Sequence, residues 1–413
     1  MNRILPVLIL SQLVCGQEIL QHFDLDKSNH YVGTTTYEFK INKKSSLTLN
    51  IYNVKGDIFF TGEPGDIIQI TEDVSIWSSS GFKAKSLFDD YHAQVRQLED
   101  AGVIEIIGLG EWKARSSFEY AIILPINCNI SAKTGGGDIE AERITGEISL
   151  STSGGDLDLV YLTGKVSART SGGDVNVDHC EGILALNTSG GDIDIEQVAG
   201  EITAKTAGGY IVVESVQGNV DVQTSGGELS FEDIVGSKLT GITSGGSIEA
   251  TRIQADMDVI TSGGDIDIED LVGSLTAETS GGDIDVEEIY GNANLSTSSG
   301  DITVTGLRGA IRAKTSAGDL EIEKIWDRKI NEHDIHIVNN HGSIYLVLPE
   351  NFPAQIDAVV EDEISAGAID SDFPIEVVKK YDKIRGESII GAGTYTVKLR
   401  TSHGTITIEK GSD

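Results

Sequence analysis

The sequence predicts an all-β fold: a single-stranded parallel β-helix, or β-solenoid, of about 18 residues per coil. Three observations predict it. A Thr-Ser-Gly-Gly-Asp motif recurs at fixed spacing, and the residue after each glycine pair is Asp138, Asp156, Asp174, Asp192, Tyr210, Glu228, Ser247, Asp265, Asp283, Asp301 or Asp319. The step is 18 residues everywhere except from 228 to 247, where it is 19. After each motif the sequence alternates apolar and polar, the mark of a strand with one buried face. Finally, no proline occurs between Pro125 and Pro349, as expected where strands bond on both sides and spare no N–H.

With the aligned residue as position 1, positions 2 and 4 are mostly Ile, Val or Leu, as in Ile266 and Ile268, while positions 1, 3 and 5 are mostly acidic or hydroxylic. Position 7 is apolar throughout, from Ile144 and Leu162 to Leu307 and Ile325, and position 9 is glycine in nine coils of eleven. A second alternation follows, as in Leu275, Thr276, Ala277 and Glu278, before the motif turns the chain into the next coil. Each coil is thus two short strands and two corners, with glycines supplying backbone angles that other residues resist. Stacked at about 4.8 Å, eleven coils would measure roughly 50 Å. The left-handed hexapeptide helix also uses about 18 residues per turn, but its inward positions would bury Glu278. A right-handed coil is expected from the general handedness of parallel crossovers.

Four segments follow in order: a signal peptide over 1–16, an N-terminal β cap with a short helix over 17–125, the eleven-coil solenoid over 126–326, and a C-terminal β cap over 327–413. Arg3 and the apolar run Ile4 to Val14 have the make-up of an export signal cut before Gln17, too short to span a bilayer. Cys15 offers lipid anchoring as the alternative. Residues 46–70 alternate around the Gly56-Asp57 corner like a diverged coil. Leu87, Tyr91, Val95 and Leu98 follow helical spacing, which predicts a helix over 85–99. Ser343 to Leu348 and Thr394 to Glu409 read as strands that close the sheet edges.

The composition limits the partners. Sixty-five acidic against 31 basic residues give a formal net charge of −34, which argues against nucleic acid or anionic lipid as a general partner. No later apolar run is long enough for a transmembrane segment. Cys128 and Cys180 fall three coils apart, about 14 Å along the axis, beyond the reach of a disulfide.

The stretches "NVKGDIFFTG", "FEYAIILPINCNISAKTGGGDIEAERITGEISLSTSGGDL" and "TSHGTITIEK" carry a resemblance. Over residues 45–410 the chain resembles the bacterial putative-adhesin β-strand repeat family, a domain of unknown function. The resemblance implies a β-repeat fold and an adhesive role, and supplies no catalytic residues.

Among candidate chemistries the acidic strings come first. Asp192, Asp194 and Glu196 share an outer face, as do Asp265, Asp267 and Glu269, and Asp283, Asp285 and Glu287. Calcium takes six to eight oxygens, and two adjacent coils could supply several; the competing reading is a solvated face that resists aggregation. An EF-hand does not fit, because Asp270 and Thr276 stand where glycine and glutamate belong. The Thr-Ser-Gly-Gly corner lacks the lysine and helix of a phosphate loop, and its Thr and Ser rows are expected to bond to one another. Ser80, Lys83 and Lys133 imitate penicillin-enzyme motifs without the intervening element, and Lys133 shares its repeat position with Lys205 and Lys314. His333, His336 and His341 read as surface histidines. Sequons begin at Asn129, Asn187 and Asn294. A less charged strip around Tyr210, Val212, Ser230, Ser247 and Thr251 offers a docking surface.

The expectation is therefore a non-enzymatic protein without a cofactor, acting outside the cytoplasm, in the periplasm, at the cell surface or secreted, as an adhesion or scaffold module toward surface glycans or other envelope proteins. The alternative is a calcium-dependent polysaccharide-binding or polysaccharide-processing β-helix. An ice or mineral binder would want flat outward threonine rows, and these outward rows are acidic.

Overall fold

The computed structural model describes residues 18–25, 30–41, 47–98, 102–108, 116–361 and 366–411. The expected export signal over 1–16, with Cys15, lies outside them. The chain folds as two compact units, Met1–Thr206 and Ala207–Asp413.

In the first unit, strands Ile139–Glu142, Leu157–Val160, Val175–Asp178 and Ile193–Glu196 pair in parallel, each one coil beyond the last. The second strands of the coils form another parallel ladder, from Asn129–Thr134 through Thr145–Ser151, Thr163–Arg169 and Glu181–Asn187 to Ala199–Lys205. Residues 46–70 do supply a diverged coil: Thr48–Val54 joins one ladder and Asp57–Glu63 the other. An antiparallel sheet of Glu18–Leu25, His30–Lys40, Ile67–Trp77 and Ser116–Pro125 covers that coil's first-strand side, its last strand running parallel to Asp57–Glu63.

The helix differs from expectation. It spans Gly81–Tyr91, capped by the Ser80 hydroxyl, and buries Ala84 and Phe88. Residues Gln94–Leu98 form a strand antiparallel to Val103–Ile107. Pairing with Val103–Ile107 satisfies the backbone groups on one edge of the segment, which a short amphipathic period does not outweigh.

The second unit repeats the design. Its first ladder includes Ile211–Gln217, Ile248–Ile260, Ile266–Val272, Ile284–Tyr290, Ile302–Leu307, Leu320–Lys324, Ile344–Pro349 and Ile406–Gly411. The other runs through Leu275–Glu278, Ala293–Ser296, Ile311–Ala317, Ile335–His341 and Tyr395–His403 to Ala354–Glu361. The extra residue of the 19-residue step is absorbed by a register shift between Val235 and Lys238, where Asn219 Oδ1 accepts both the Ser237 and Lys238 amides at 3.1 Å. The echo at Thr401 is a full coil: its hydroxyl donates to Gly342 O at 2.9 Å.

Positions 2, 4 and 7 are buried while 3, 5 and 6 face outward, as in Ile266–Val272. Two consecutive outward residues break strict alternation, and position 6 supplies the break. Arg143, Tyr161, His179, Gln197, Ser215, Asp233, Arg252, Asp270 and Glu288 all hold left-handed backbone with φ between 52 and 57°. Position 7 can face the core only because of that kink. In the last coil the kink is absent. Leu307 pairs with Lys324, so Lys324 takes the inward place expected for Ile325 and its ammonium bonds Leu307 O at 3.2 Å and Gly309 O at 2.8 Å.

The threonine rows do not bond to one another. Each Thr hydroxyl donates to a glycine carbonyl of the preceding coil, as Thr152 to Gly137 O at 2.7 Å and Thr279 to Gly264 O at 2.9 Å. The same oxygen accepts the N–H of the glycine three residues on, 3.3 Å away in both. Among the described residues Cys128 and Cys180 are buried and unbridged. No described helix is long and apolar enough to cross a membrane.

Candidate functional site

Each unit carries two exterior sheet faces, one per ladder, and their chemistry differs. The first-strand face holds the acidic candidates. At position 1 the Asp265 and Asp283 carboxylates are engaged with the backbone. Asp265 Oδ1 accepts the Asp283 amide at 2.9 Å, and Asp283 Oδ1 accepts that of Asp301 at 2.7 Å. Likewise the Asp192 amide donates to Asp174 Oδ1 at 2.8 Å. These aspartates tie successive coils together at the corner.

The remaining candidates stand in register. In the first unit Asp194 lies beside Asn176 and Glu196 beside Asp178. In the second, Glu249 precedes Asp267, Asp267 faces Asp285 and Glu269 faces Glu287, under a shallow hollow of about 440 Å³. Burial, and then the charges of Asp285, Asp265, Glu249 and Asp283, push the Asp267 carboxyl above the usual carboxylate range. Asp194 is raised in the same way, by burial and then by Asp192 and Asp174. Among the described residues no three His, Cys, Asp or Glu side chains gather closely enough to hold a metal ion. The less charged strip continues this face, with Val212 beside Ser230 and Ser230 beside Glu249.

The other candidates separate. Ser80 caps the helix, while Lys133 sits exposed on the coil ladder. His333 is not a surface residue: it is wholly buried, its Nε2–H directed at Asp327 O and Ile330 O at 3.1 and 3.0 Å, its ring against Tyr395 and Phe352. Insertion of 326–333 between two coils folds it inward. His341 stacks on His403 with centroids 4.7 Å apart.

The second-strand face is the feature that sequence reasoning passed over. In the first unit its outward position 14 carries Lys133, Ser151, Arg169, Asn187 and Lys205 in register. In the second unit the row Thr276, Asn294, Arg312, His336, Lys398 crosses five adjacent strands, and beside it Lys314, Val338 and Arg400 form a parallel row. A groove of about 770 Å³ lies along the first of these rows, walled by residues 331–334 and 394–396. The shared repeat position of Lys133, Lys205 and Lys314 was visible in the sequence. The partners His336, Lys398 and Arg400 lie outside the 18-residue period, and only the fold brings them alongside.

No curated protein matches this sequence. Among solved structures, a "putative cell adhesion protein" from Clostridium sporogenes is similar over 92% of this chain and 100% of its own, at 9% identity and a TM-score of 0.16, a likeness on which no argument rests. The sequence pattern of the Toastrack DUF4097 family matches residues 196–305 and 288–409, together just over half of the 413 residues. Its glycine corners, stacked coils and repeating faces are those of a β-solenoid, and the chain belongs to the Toastrack DUF4097 family.

Proposed function

We propose that this protein is a non-enzymatic binding module that works outside the cytoplasm as an adhesion or scaffold element toward surface glycans or other envelope proteins. The observation that carries the reading is the repetition of outward side chains in register along both faces of each unit. Catalysis needs a nucleophile, base and electrophile converging on one point. A ladder offers the same group many times, which favours a ligand that is itself repetitive through multiple weak contacts. The export-like stretch Ile4 to Val14 supports the location. The test is to incubate the purified chain with a glycan array and with the same polysaccharides in solution. Retention of a glycan that leaves unshortened and unmodified is expected. Turnover of any of them would overturn the non-enzymatic reading.

The crowded acidic row supports a second reading, calcium-dependent polysaccharide binding. Asp267, Glu269, Asp285 and Glu287 in the second unit, and Asp194 and Glu196 in the first, would share bound cations whose charge relieves the repulsion raising Asp267. Comparison of calcium with magnesium separates the two readings, as argued below.

A further inference from the structure

We infer that the groove along Arg312, His336 and Lys398 is a binding site for an extended acidic polysaccharide, a hydroxyl-rich chain bearing carboxylate groups. The inference rests on the adhesive reading and names its ligand class.

The first argument is the pairing of charge. In a chain with 65 acidic and 31 basic residues, a cation finds a carboxylate easily. Elsewhere in the second unit Arg252, Arg308, Lys383, Arg385 and Lys410 do so, while among the described residues the separate Lys238, Arg328, Lys329 and Lys380 do not. Arg312, Lys314, Lys398 and Arg400 share one face, and among the described residues none has a carboxylate partner within ion-pair distance. Two carboxylates, Glu332 and Asp334, also line the groove and hold hydrogen bonds from neutral donors, while Asp357 is paired with an arginine. Glu332 accepts from Asn292 Nδ2 at 2.8 Å, Asp334 accepts the Thr396 amide at 2.8 Å, and Asp357, beside Lys398, accepts from Arg385 Nε at 2.8 Å.

The second argument is spacing. Arg312 and Lys398 flank His336 on adjacent strands, which places the two cations two rungs apart, about 9.6 Å. Lys314 and Arg400 repeat that interval one pleat further along, about 6.6 Å away. A linear chain crossing the rungs therefore meets two cations separated by one neutral rung. Their convergence is felt by His336, whose pKa is lowered by burial and then by Arg312, Lys398 and Arg400. Guanidinium and ammonium groups make charge-assisted hydrogen bonds to carboxylates, Arg in bidentate form.

The third argument is shape. The groove continues onto Thr276 and Asn294, neutral groups suited to sugar hydroxyls, and the raised 331–334 and 394–396 segments wall it. His333 lies behind this wall, wholly buried, and its Nδ1 has no hydrogen-bond partner among the described residues. A walled groove seats a single chain better than it seats the broad acidic face of a second copy.

The test measures binding of polygalacturonate to the full chain by calorimetry in 0.15 M salt, where the Debye length of about 8 Å screens the distant acidic face but leaves contacts in the groove. Expected is saturable binding that weakens at least about tenfold in Arg312→Glu/Lys398→Glu. Arg312→Gln/Lys398→Gln gives an intermediate loss and serves if charge reversal prevents folding. Lys133→Glu/Lys205→Glu, with the same change in net charge, should stay within about twofold. Equal loss in that control, equal binding of a neutral glucan, tighter binding of single-stranded DNA, or self-association through this face would each overturn the assignment. If only neutral glycans bind, the groove assignment falls and the adhesive reading stands; if no array glycan and no acidic polysaccharide binds, both fall.

Discussion

Glu72 sits in the strand Ile67–Trp77 with only 1% of its surface exposed. One carboxyl oxygen accepts the Ala93 amide at 2.8 Å and the Tyr120 hydroxyl at 3.1 Å; the other has no partner among the described residues. Burial pushes this carboxyl up to about 7 from 4.5, against two hydrogen bonds that lower it, with the charge of Asp73 adding a little. The folded state thus holds its proton across a window in which the unfolded chain has released it. Between about pH 4.5 and 7, stability should fall as pH rises, and level off above. Glu72→Gln keeps an acceptor for Ala93 and Tyr120 and removes the charge. We expect it to stabilise the first unit by about 2–3 kcal/mol at pH 8 and by nothing measurable at pH 4. Thermal melts of both proteins across that range check this, and parallel curves would refute it. Single residues also explain the motif. A Cβ on Gly155, the second glycine of its pair, would lie 2.2 Å from Gly137 O, whereas on Gly154 it would meet nothing within 4 Å. The chain obeys this: the first place accepts Ser299, Ala317, His341 and His403, and the second is glycine each time.

Among elements, the first strand of each coil was the most legible, because Ile266 and Ile268 alternate with acids and side-chain direction along a strand has period two. The corner at position 6 was not. Arg143, Tyr161, His179 and Gln197 share no chemistry that announces a left-handed backbone, and the stack imposes it. The helix failed for a related reason: Val95 and Leu98 fit a helical period, but pairing with Val103–Ile107 claimed them. Of the site, the acidic rows could be read directly, since equivalent positions recur every 18 residues. The cationic row could not, because Arg312 meets His336 and Lys398 only through long-range pairing. The coil as a unit is testable. Deleting 265–282 joins Gly264 to Asp283. The Asp283 amide would then reach Ser247 Oγ, as the Asp265 amide does now at 3.2 Å, and Thr297 would donate to Gly264 O as Thr279 does at 2.9 Å. Every ladder bond has a successor, so the variant should stay cooperative and melt only a few degrees lower. Deleting 265–273 removes the strand Ile266–Val272 alone and leaves Ile248–Gln254 and Ile284–Tyr290 without a partner on that side. That protein should lose cooperativity or aggregate. Equal tolerance of both deletions in circular dichroism melts would mean the coil is not the folding unit.

For the whole molecule the dominant quantity is a formal net charge of −34, much of it arranged in rows. Like charges about 4.8 Å apart on successive rungs repel, and each row costs stability that the hydrogen-bonded corners and buried aliphatics must exceed. Glu140 shows the same stress as Asp194 and Asp267, raised by burial first and then by Asp158 and Asp138. Any divalent cation that collects over such rows lowers the repulsion, whatever its coordination preference, whereas a true site would prefer calcium with its six to eight flexible oxygens over magnesium with its strict octahedron. Since no described trio of ligands gathers at one point, the binding-module reading expects a shared response. Two millimolar calcium and two millimolar magnesium, about equal in screening power, should each raise the melting temperature by a few degrees and by similar amounts. Asp267→Asn/Asp285→Asn removes two of the crowded carboxylates, so it should raise the melting temperature in the absence of either ion and shrink both ionic effects together. A clear preference for calcium that this double substitution abolishes would instead establish specific sites and favour the calcium-dependent reading. The substitution leaves the position 1 aspartates and their backbone hydrogen bonds untouched, so a change in ion response would report on the exterior row and not on the corners that hold the coils together.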